Sequence, residues 1–276
     1  MNRMAVQAAV TMKQLQNKLD VVSHNMANLE TTGYKSRNAQ FTSLLTQQIN
    51  NFSDEEANAL GRITPNGIRL GSGAKLGQVN MNLSLGTVKQ TGRGLDLALL
   101  EDNHLLQVDV TNNGVTERRF TRDGTLYLNE MGNGQVMLSN GQGHPIVGQN
   151  GPIILDTGME DVSISSNGSI QVTRNGQTTV EGQLSIVQAI RPQFLEAAGN
   201  NQFRLPDVTA AAYNAGDIIQ DVAFGDVALQ TGALESSNVN MATQMTEMME
   251  TQRAYQFNAR TISMHDQMRG LVNQLR

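Results

Sequence analysis

Residues 162–176 read VSISSNGSIQVTRNG. Apolar Val162, Ile164, Ile170 and Val172 alternate with polar neighbours, the period-two pattern of a half-buried strand, and Asn167-Gly168 and Asn175-Gly176 interrupt it. Asn-Gly readily supplies the two positive φ angles of a tight hairpin turn, so the stretch predicts antiparallel strands joined by short connections. The same dipeptide recurs at Asn66-Gly67, Asn113-Gly114, Asn133-Gly134, Asn140-Gly141 and Asn150-Gly151, with Asp123-Gly124 beside them. Strand-like runs at 105–110, 125–129, 135–138, 162–164, 169–173 and 183–190 lie between these breaks. They predict a mainly antiparallel, barrel- or sandwich-like domain over residues 95–206, flanked by longer extended strands at 75–90 and 218–234.

Working outward, the breakers vanish. Of 26 glycines only Gly33 and Gly270 lie outside positions 61–232, and all five prolines lie inside that span. Gly and Pro cost about 1 and 3 kcal/mol in a helix interior, so both ends can hold long helices that the centre cannot. Met12, Leu15, Leu19, Val22, Met26 and Leu29 recur at alternating spacings of three and four, a stripe predicted to run to a stop at Thr31-Thr32-Gly33. Near the other end, Met241, Met245, Met248, Tyr255, Ala259 and Ile262 form one stripe, and Ala254, Phe257, Thr261, Met264, Met268, Leu271 and Leu275 form a second beside it. Two adjacent stripes are wider than one partner helix covers. The expected fold is α+β, with long N- and C-terminal helices packed together around a central β domain. The expected divisions are residues 1–60 with 233–276 as a terminal helical assembly domain, 61–94 with 207–232 as an extended β connector, and 95–206 as the central β domain.

Composition excludes several function classes. A net charge of −5 leaves no overall electrostatic footprint for nucleic acid or anionic lipid. Cys is absent, so no thiolate nucleophile, disulfide or Cys-based metal site is possible. Aromatics make up 4% of the chain and Trp is missing, a poor supply for an aromatic-lined cleft. Lys13, Gln14, Gln16, Asn17 and Lys18 interrupt any signal-peptide core near the start, and no run reaches the ~18 apolar residues of a membrane span.

A search for chemistry finds little. His24, His104, His144 and His265 are far apart, without metal-ligand spacing, and read as surface or turn residues. Gly71-Ser72-Gly73 and Gly92-Arg93-Gly94 lack the remainder of a phosphate-binding fingerprint. Arg118, Arg119 and Arg122 read as charge on a solvated edge strand. Asp54-Glu55-Glu56 lacks the companion carboxylates of a calcium loop. No catalytic, cofactor-binding or metal site is expected, and the chain does not read as an enzyme.

One resemblance runs through both ends. Ser23-His24-Asn25-Met26-Ala27-Asn28-Leu29-Glu30-Thr31-Thr32-Gly33-Tyr34-Lys35 closely resembles the N-terminal signature of bacterial flagellar rod and hook proteins. Gly232-Ala233-Leu234-Glu235-Ser236-Ser237-Asn238-Val239, then Gln252-Arg253-Ala254-Tyr255, Asn258, Ile262 and Asp266-Gln267-Met268, resembles their C-terminal pattern. Thr91 to Leu99 is similar to the family's entry into its β domain, and Thr121-Arg122-Asp123-Gly124 to its hairpin. The chain departs from the family at Asp102-Asn103-His104-Leu105-Leu106, where relatives carry Gly-x-Gly-Phe-Phe, at Gln244 in place of an acid, and at Thr32 in place of Pro.

The resemblance implies a structural subunit of the flagellar basal-body rod, of the distal type, exported by the flagellar type III apparatus without a cleaved signal. It implies a hollow helical polymer of this chain that joins other rod and hook proteins, transmits torque and conducts exported subunits. Asn25, Asn28, Gly33, Tyr34, Lys35, Leu234, Glu235, Ser237, Asn238, Val239, Gln252, Arg253, Tyr255, Asn258, Ile262 and Asp266 are the implied subunit-interaction residues, and Ser237 or Asn238 is the expected cap of the last helix. Phe41 to Leu45 resembles an export-recognition element. The alternative is a secreted β-rich binding module or adhesin with a helical oligomerisation stalk.

Overall fold

In the computed structural model, which describes residues 3–43, 46–49, 68–71, 74–112, 114–206 and 214–274, the hairpin signals of the centre become antiparallel ladders. Asp161–Ile164, Ser169–Arg174 and Gln177–Gln183 form a three-stranded sheet in which Val162 faces Val172 and Ile164 faces Ile170. Asn175 at φ 50° and Gly176 at φ 73° turn the chain between the second and third of these strands, as Asn-Gly was expected to do. Leu126–Glu130 and Gln135–Asn140 pair around Asn133-Gly134, and Ile154–Asp156 adds to the far side of the second strand.

The largest sheet has six antiparallel strands in the order Glu196–Gly199, Gln202–Arg204, Val115–Thr121, His104–Asn112, Ile186–Ala189 and Ile219–Asp221. Val115–Thr121 is thus interior, which corrects its reading as an edge strand. Its exposed charges are instead neutralised locally: Arg118 donates to Asp109 directly across the ladder at 3.0 Å, and Arg119 donates to Glu117 at 2.8 Å. His104–Asn112 explains why its sequence lacks clean alternation. Leu106, Val108 and Val110 enter one apolar core with Leu126, Leu138, Ile146, Ile170 and Val172. Leu105 points the other way, into a second core with Phe120, Val187, Ala189, Phe203 and Ile218. Each such fully buried aliphatic side chain contributes about 1.5–3 kcal/mol.

The flanking segments are less regular than their sequence suggested. Residues 75–90 split into Ala74–Met81 and Val88–Gln90, and the stretch 218–234 holds the end of a short helix, a 3₁₀ turn Phe224–Asp226 and the strands Ile219–Asp221, Leu229–Thr231 and Ala233–Glu235. Gly232, at φ 66°, provides the break between the last two strands, and its carbonyl accepts the N–H groups of Thr91 and Gly92. Leu229–Thr231 pairs with Leu97–Leu99, and Ala233–Glu235 pairs with Val88–Gln90.

Three α-helices are present among the described residues: α1 (Arg3–Ala27), α2 (Ala215–Ile218) and α3 (Met241–Gln274). The α1 helix stops earlier than Thr31-Thr32-Gly33. Asn28 and Thr31 offer the chain a turn in its place, with the Thr31 N–H donating to the Asn28 carbonyl and the Thr31 hydroxyl to the Asn28 side-chain oxygen. Arg37–Ser43 and Thr46–Ile49 follow as strands, paired with Ala74–Met81 and Ile68–Gly71. The chain forms two compact units, one of Met1–His24, Arg37–Val79 and Met241–Arg276, the other of Asn25–Ser36 and Asn80–Asn240. The segment Asn25–Ser36 therefore belongs with the β domain. No described helix is long and apolar enough to cross a membrane.

Candidate functional site

A buried charge cluster lies within the β-containing unit. The Glu235 carboxylate accepts from the Lys35 ammonium at 2.6 Å through one oxygen and from the Arg122 guanidinium at 2.5 Å through the other. The three side chains are at most 1% exposed. Two cations and one anion out of water would be unfavourable by several kcal/mol unless their remaining donors were satisfied. They are satisfied. Arg122 also donates to the carbonyls of Leu99, Glu101 and His104, and Lys35 to the carbonyl of Ser84. Gly86 N–H adds a third donor to Glu235, at 2.6 Å.

Local backbone choices aim these groups. Gly33 sits at φ 62°, where its N–H donates to the Glu235 carbonyl at 2.8 Å. A Cβ there would lie 2.4 Å from the Arg122 carbonyl oxygen, so both the positive φ and the close approach demand glycine. Tyr34, buried, donates its hydroxyl to Asn25, itself 1% exposed. The Asn238 side chain accepts from Ser36 N–H and donates to the carbonyls of Asn82 and Ser84. Three sequence-distant stretches are thereby stitched together by polar contacts that each needs the others to complete.

Burial and the neighbouring Arg122 charge hold the Lys35 pKa down to about 8, against the pull of Glu235. His104, predicted to lie at the surface or in a turn, is buried beside Arg122; burial lowers its pKa, and its Nδ1 has no hydrogen-bond partner. A neutral imidazole suits a place already crowded with positive charge.

The expected site residues divide between the two units. Asn25, Gly33, Tyr34, Lys35, Glu235 and Asn238 converge on the network just described. Asn28 is half-buried in the turn after α1, Leu234 lies opposite Lys89 in the ladder, and Val239 is buried. Ser237 accepts from Val239 N–H, and Asn238 is engaged with Ser36, Asn82 and Ser84; the last helix begins only at Met241, so neither takes the N-cap position expected of it. On α3, Gln252, Arg253 and Asp266 are exposed, while Tyr255, Asn258 and Ile262 are half-buried. The Tyr255 hydroxyl accepts from Gln16, and Asn258 donates back to the Ala254 carbonyl within the helix. Phe41 is 41% exposed with the Lys18 ammonium 5.7 Å from its ring centroid, and Leu45 lies outside the described residues. Sequence reasoning missed the burial of Arg122. The Thr-Arg-Asp-Gly motif marked the position, but only the fold shows which carboxylate it meets.

Sequence comparison gives this arrangement a context. Residues 7–35 match the family described as "Flagella basal body rod protein", and residues 230–275 match "Flagellar basal body rod FlgEFG protein C-terminal". The two matches contain Lys35 and Glu235, the two ends of the buried ion pair. Over the full length of both chains, the sequence is 36% identical to the flagellar hook-basal body complex protein FlhP of Bacillus subtilis. The chain belongs to the flagellar basal-body rod family. It is also 33% identical to the rod protein FlgG of Bacillus subtilis, over 95% of each chain, and 31% identical to that of Caulobacter vibrioides, over 98% of this chain and 97% of the relative. This rod-family protein is a structural subunit of the flagellar basal body. Phe257 is 70% exposed, Met264 53%, Met268 59% and Leu271 61%. Among the described residues, no group of three or more His, Asp or Glu could hold a metal ion.

Proposed function

We propose that this chain is the distal-rod type of subunit and polymerises into a hollow helical shaft that transmits torque and conducts exported subunits. In this reading the terminal helices pack together and form the inner wall, the β domain forms the outer layer, and the chain reaches the growing tip through the type III export apparatus without a cleaved signal. The observation that carries it is the apolar face of α3. The stripe Phe257, Met264, Met268 and Leu271 is exposed in the single chain, while the buried positions of the same helix are Gln244, Thr251 and His265. Each Leu, Met or Phe gains about 1.5–3 kcal/mol when covered, and a helix whose more apolar side faces water is one built to be covered by neighbours. Methionine adapts to neighbours that arrive at slightly different angles, as those of a helical tube do. The hydrogen bond from Gln16 on α1 to Tyr255 on α3 supports pairing of the two helices.

The test is genetic. A strain lacking the gene is complemented with full-length protein or with a chain ending at Gly232, and swimming and basal-body electron micrographs are compared. The proposal expects short rods and no motility, rescued by the full-length chain alone. Normal rods in the deletion strain would refute it and favour a binding module, whose β domain would then be assayed for saturable glycan binding.

A further inference from the structure

The Asn-Gly dipeptides that build the hairpins are also the peptide bonds most prone to self-modification, because glycine leaves its own amide nitrogen unshielded beside the Asn side chain. We propose that Asn133 is a self-deamidation site, distinguished from other Asn-Gly pairs of the β domain by a turn that leaves both reacting groups free.

Asn133 lies in the connection between Leu126–Glu130 and Gln135–Asn140, with Gly132 at φ 80° and Gly134 at φ 72° on either side. The residue is exposed, and its side-chain amide has no hydrogen-bond partner among the described residues. Thr157 holds the Gly134 carbonyl through its N–H and its hydroxyl, both at 3.0 Å, whereas the Gly134 N–H has no hydrogen-bond partner among the described residues. Other pairs are restrained. Asn140 is 4% exposed; its side-chain oxygen accepts from the N–H groups of Gln142 and His144, and its amide donates to Gln142. The Asn167 oxygen accepts from both N–H and hydroxyl of Ser169. Gly176 N–H is engaged by Glu160, and Gly151 is paired with Gly148 in a two-residue hairpin.

The reaction needs only water. The Gly134 nitrogen attacks Cγ of Asn133, the Cγ–Nδ2 bond breaks, and Nδ2 leaves as ammonia with the proton from the Gly134 N–H. Water then opens the five-membered imide at either carbonyl, giving aspartate or, with the main chain rerouted through the side chain, isoaspartate. Either product adds one negative charge to a hairpin that already carries Glu130 and lies next to Asp156. The isoaspartyl product also lengthens the turn by one backbone carbon, next to the Gly134 carbonyl that Thr157 holds.

Full-length protein incubated under native, mildly alkaline conditions, sampled over days and digested for peptide mass spectrometry, tests this. The expected result is accumulation of acid and isoaspartyl forms at Asn133 at least about tenfold faster than at Asn140 or Asn167, the factor imposed when ~1.4 kcal/mol of local opening must precede attack. Gly134→Ala should suppress the conversion while leaving the hairpin folded by circular dichroism, and urea-unfolded protein should lose the preference among the three sites. Equal rates in the folded chain, or no conversion at Asn133, would overturn the proposal.

Discussion

Lys35 and Glu235 stand 200 residues apart in the chain and 2.6 Å apart in the fold. Arg122 completes the contact from the other oxygen of the same carboxylate. The segment that follows α1, the Thr-Arg-Asp-Gly turn and the strand that precedes α3 are thus held by one anion.

Removing that anion leaves two buried cations facing each other. Glu235→Gln should lower the unfolding free energy of the β domain by about 3–5 kcal/mol, as loss of one member of a buried pair does. Asp109→Ala, which breaks the half-exposed contact with Arg118, should cost about 0.2–1 kcal/mol. Urea denaturation of the two variants separates these ranges. A loss below about 1 kcal/mol for Glu235→Gln would mean that water reaches the cluster.

The lowered Lys35 pKa makes stability depend on pH in a defined direction. Between the folded value of about 8 and the unfolded value of 10.5 the unfolded chain keeps a proton that the folded chain has released. Wild-type stability therefore rises with pH through this window, by up to about 1.4 kcal/mol per unit, relative to Lys35→Met, in which the titration is absent. Urea midpoints measured below pH 8 and near pH 10.5 give the difference. A difference that stays flat or shrinks as pH rises would mean that Glu235 holds the ammonium charged throughout.

Gly33 and Gly92 share a positive φ but not a neighbourhood. A Cβ at Gly33 would strike the Arg122 carbonyl at 2.4 Å, whereas one at Gly92 would meet nothing within 4 Å. Gly92→Ala should cost only the conformational penalty of about 1–2 kcal/mol, and Gly33→Ala more, because backbone must also move. Thermal melts of the two variants should differ in that order; equal shifts would remove the steric part of the argument.

The terminal helices should be weakly ordered in dilute monomer. Ordering a residue costs about 1–2 kcal/mol of backbone entropy, and an α3 with its apolar stripe in water recovers little of it. Amide hydrogen exchange is expected to be fast over residues 3–24 and 241–274 and slow in the strand His104–Asn112, whose side chains fill both cores. Strong protection of both helices in the monomer would mean that they are ordered without neighbouring subunits.

Much of this architecture was legible in the sequence because it follows from local chemistry. Asn175-Gly176 makes the turn its φ requirement predicts, and Val162, Ile164, Ile170 and Val172 enter the core their alternation predicts. What stayed hidden depends on distant partners. Arg122 reads as one surface arginine among three until the fold brings Glu235 to it, and His104 reads as a surface or turn residue until the six-stranded sheet closes over it. The α1 terminus moved because side-chain hydrogen bonds at Asn28 and Thr31 compete with the helix, a balance that periodicity does not register. The exposed stripe of α3 was visible as a second apolar row, although only the structure shows that Phe257, Met264, Met268 and Leu271 of this row are exposed while Tyr255, Ala259 and Ile262 of the first are half-buried.

The chain contains no cysteine, so a single introduced thiol reports on one position alone. Phe257→Cys and Leu271→Cys, each in an otherwise complemented motile strain, place that thiol on the exposed stripe. Maleimide labelling compared between purified chain and isolated basal bodies is the most direct measurement of whether α3 is covered by neighbouring subunits. The account predicts rapid labelling of the purified chain and strong protection in the basal body; equal labelling in both would contradict it.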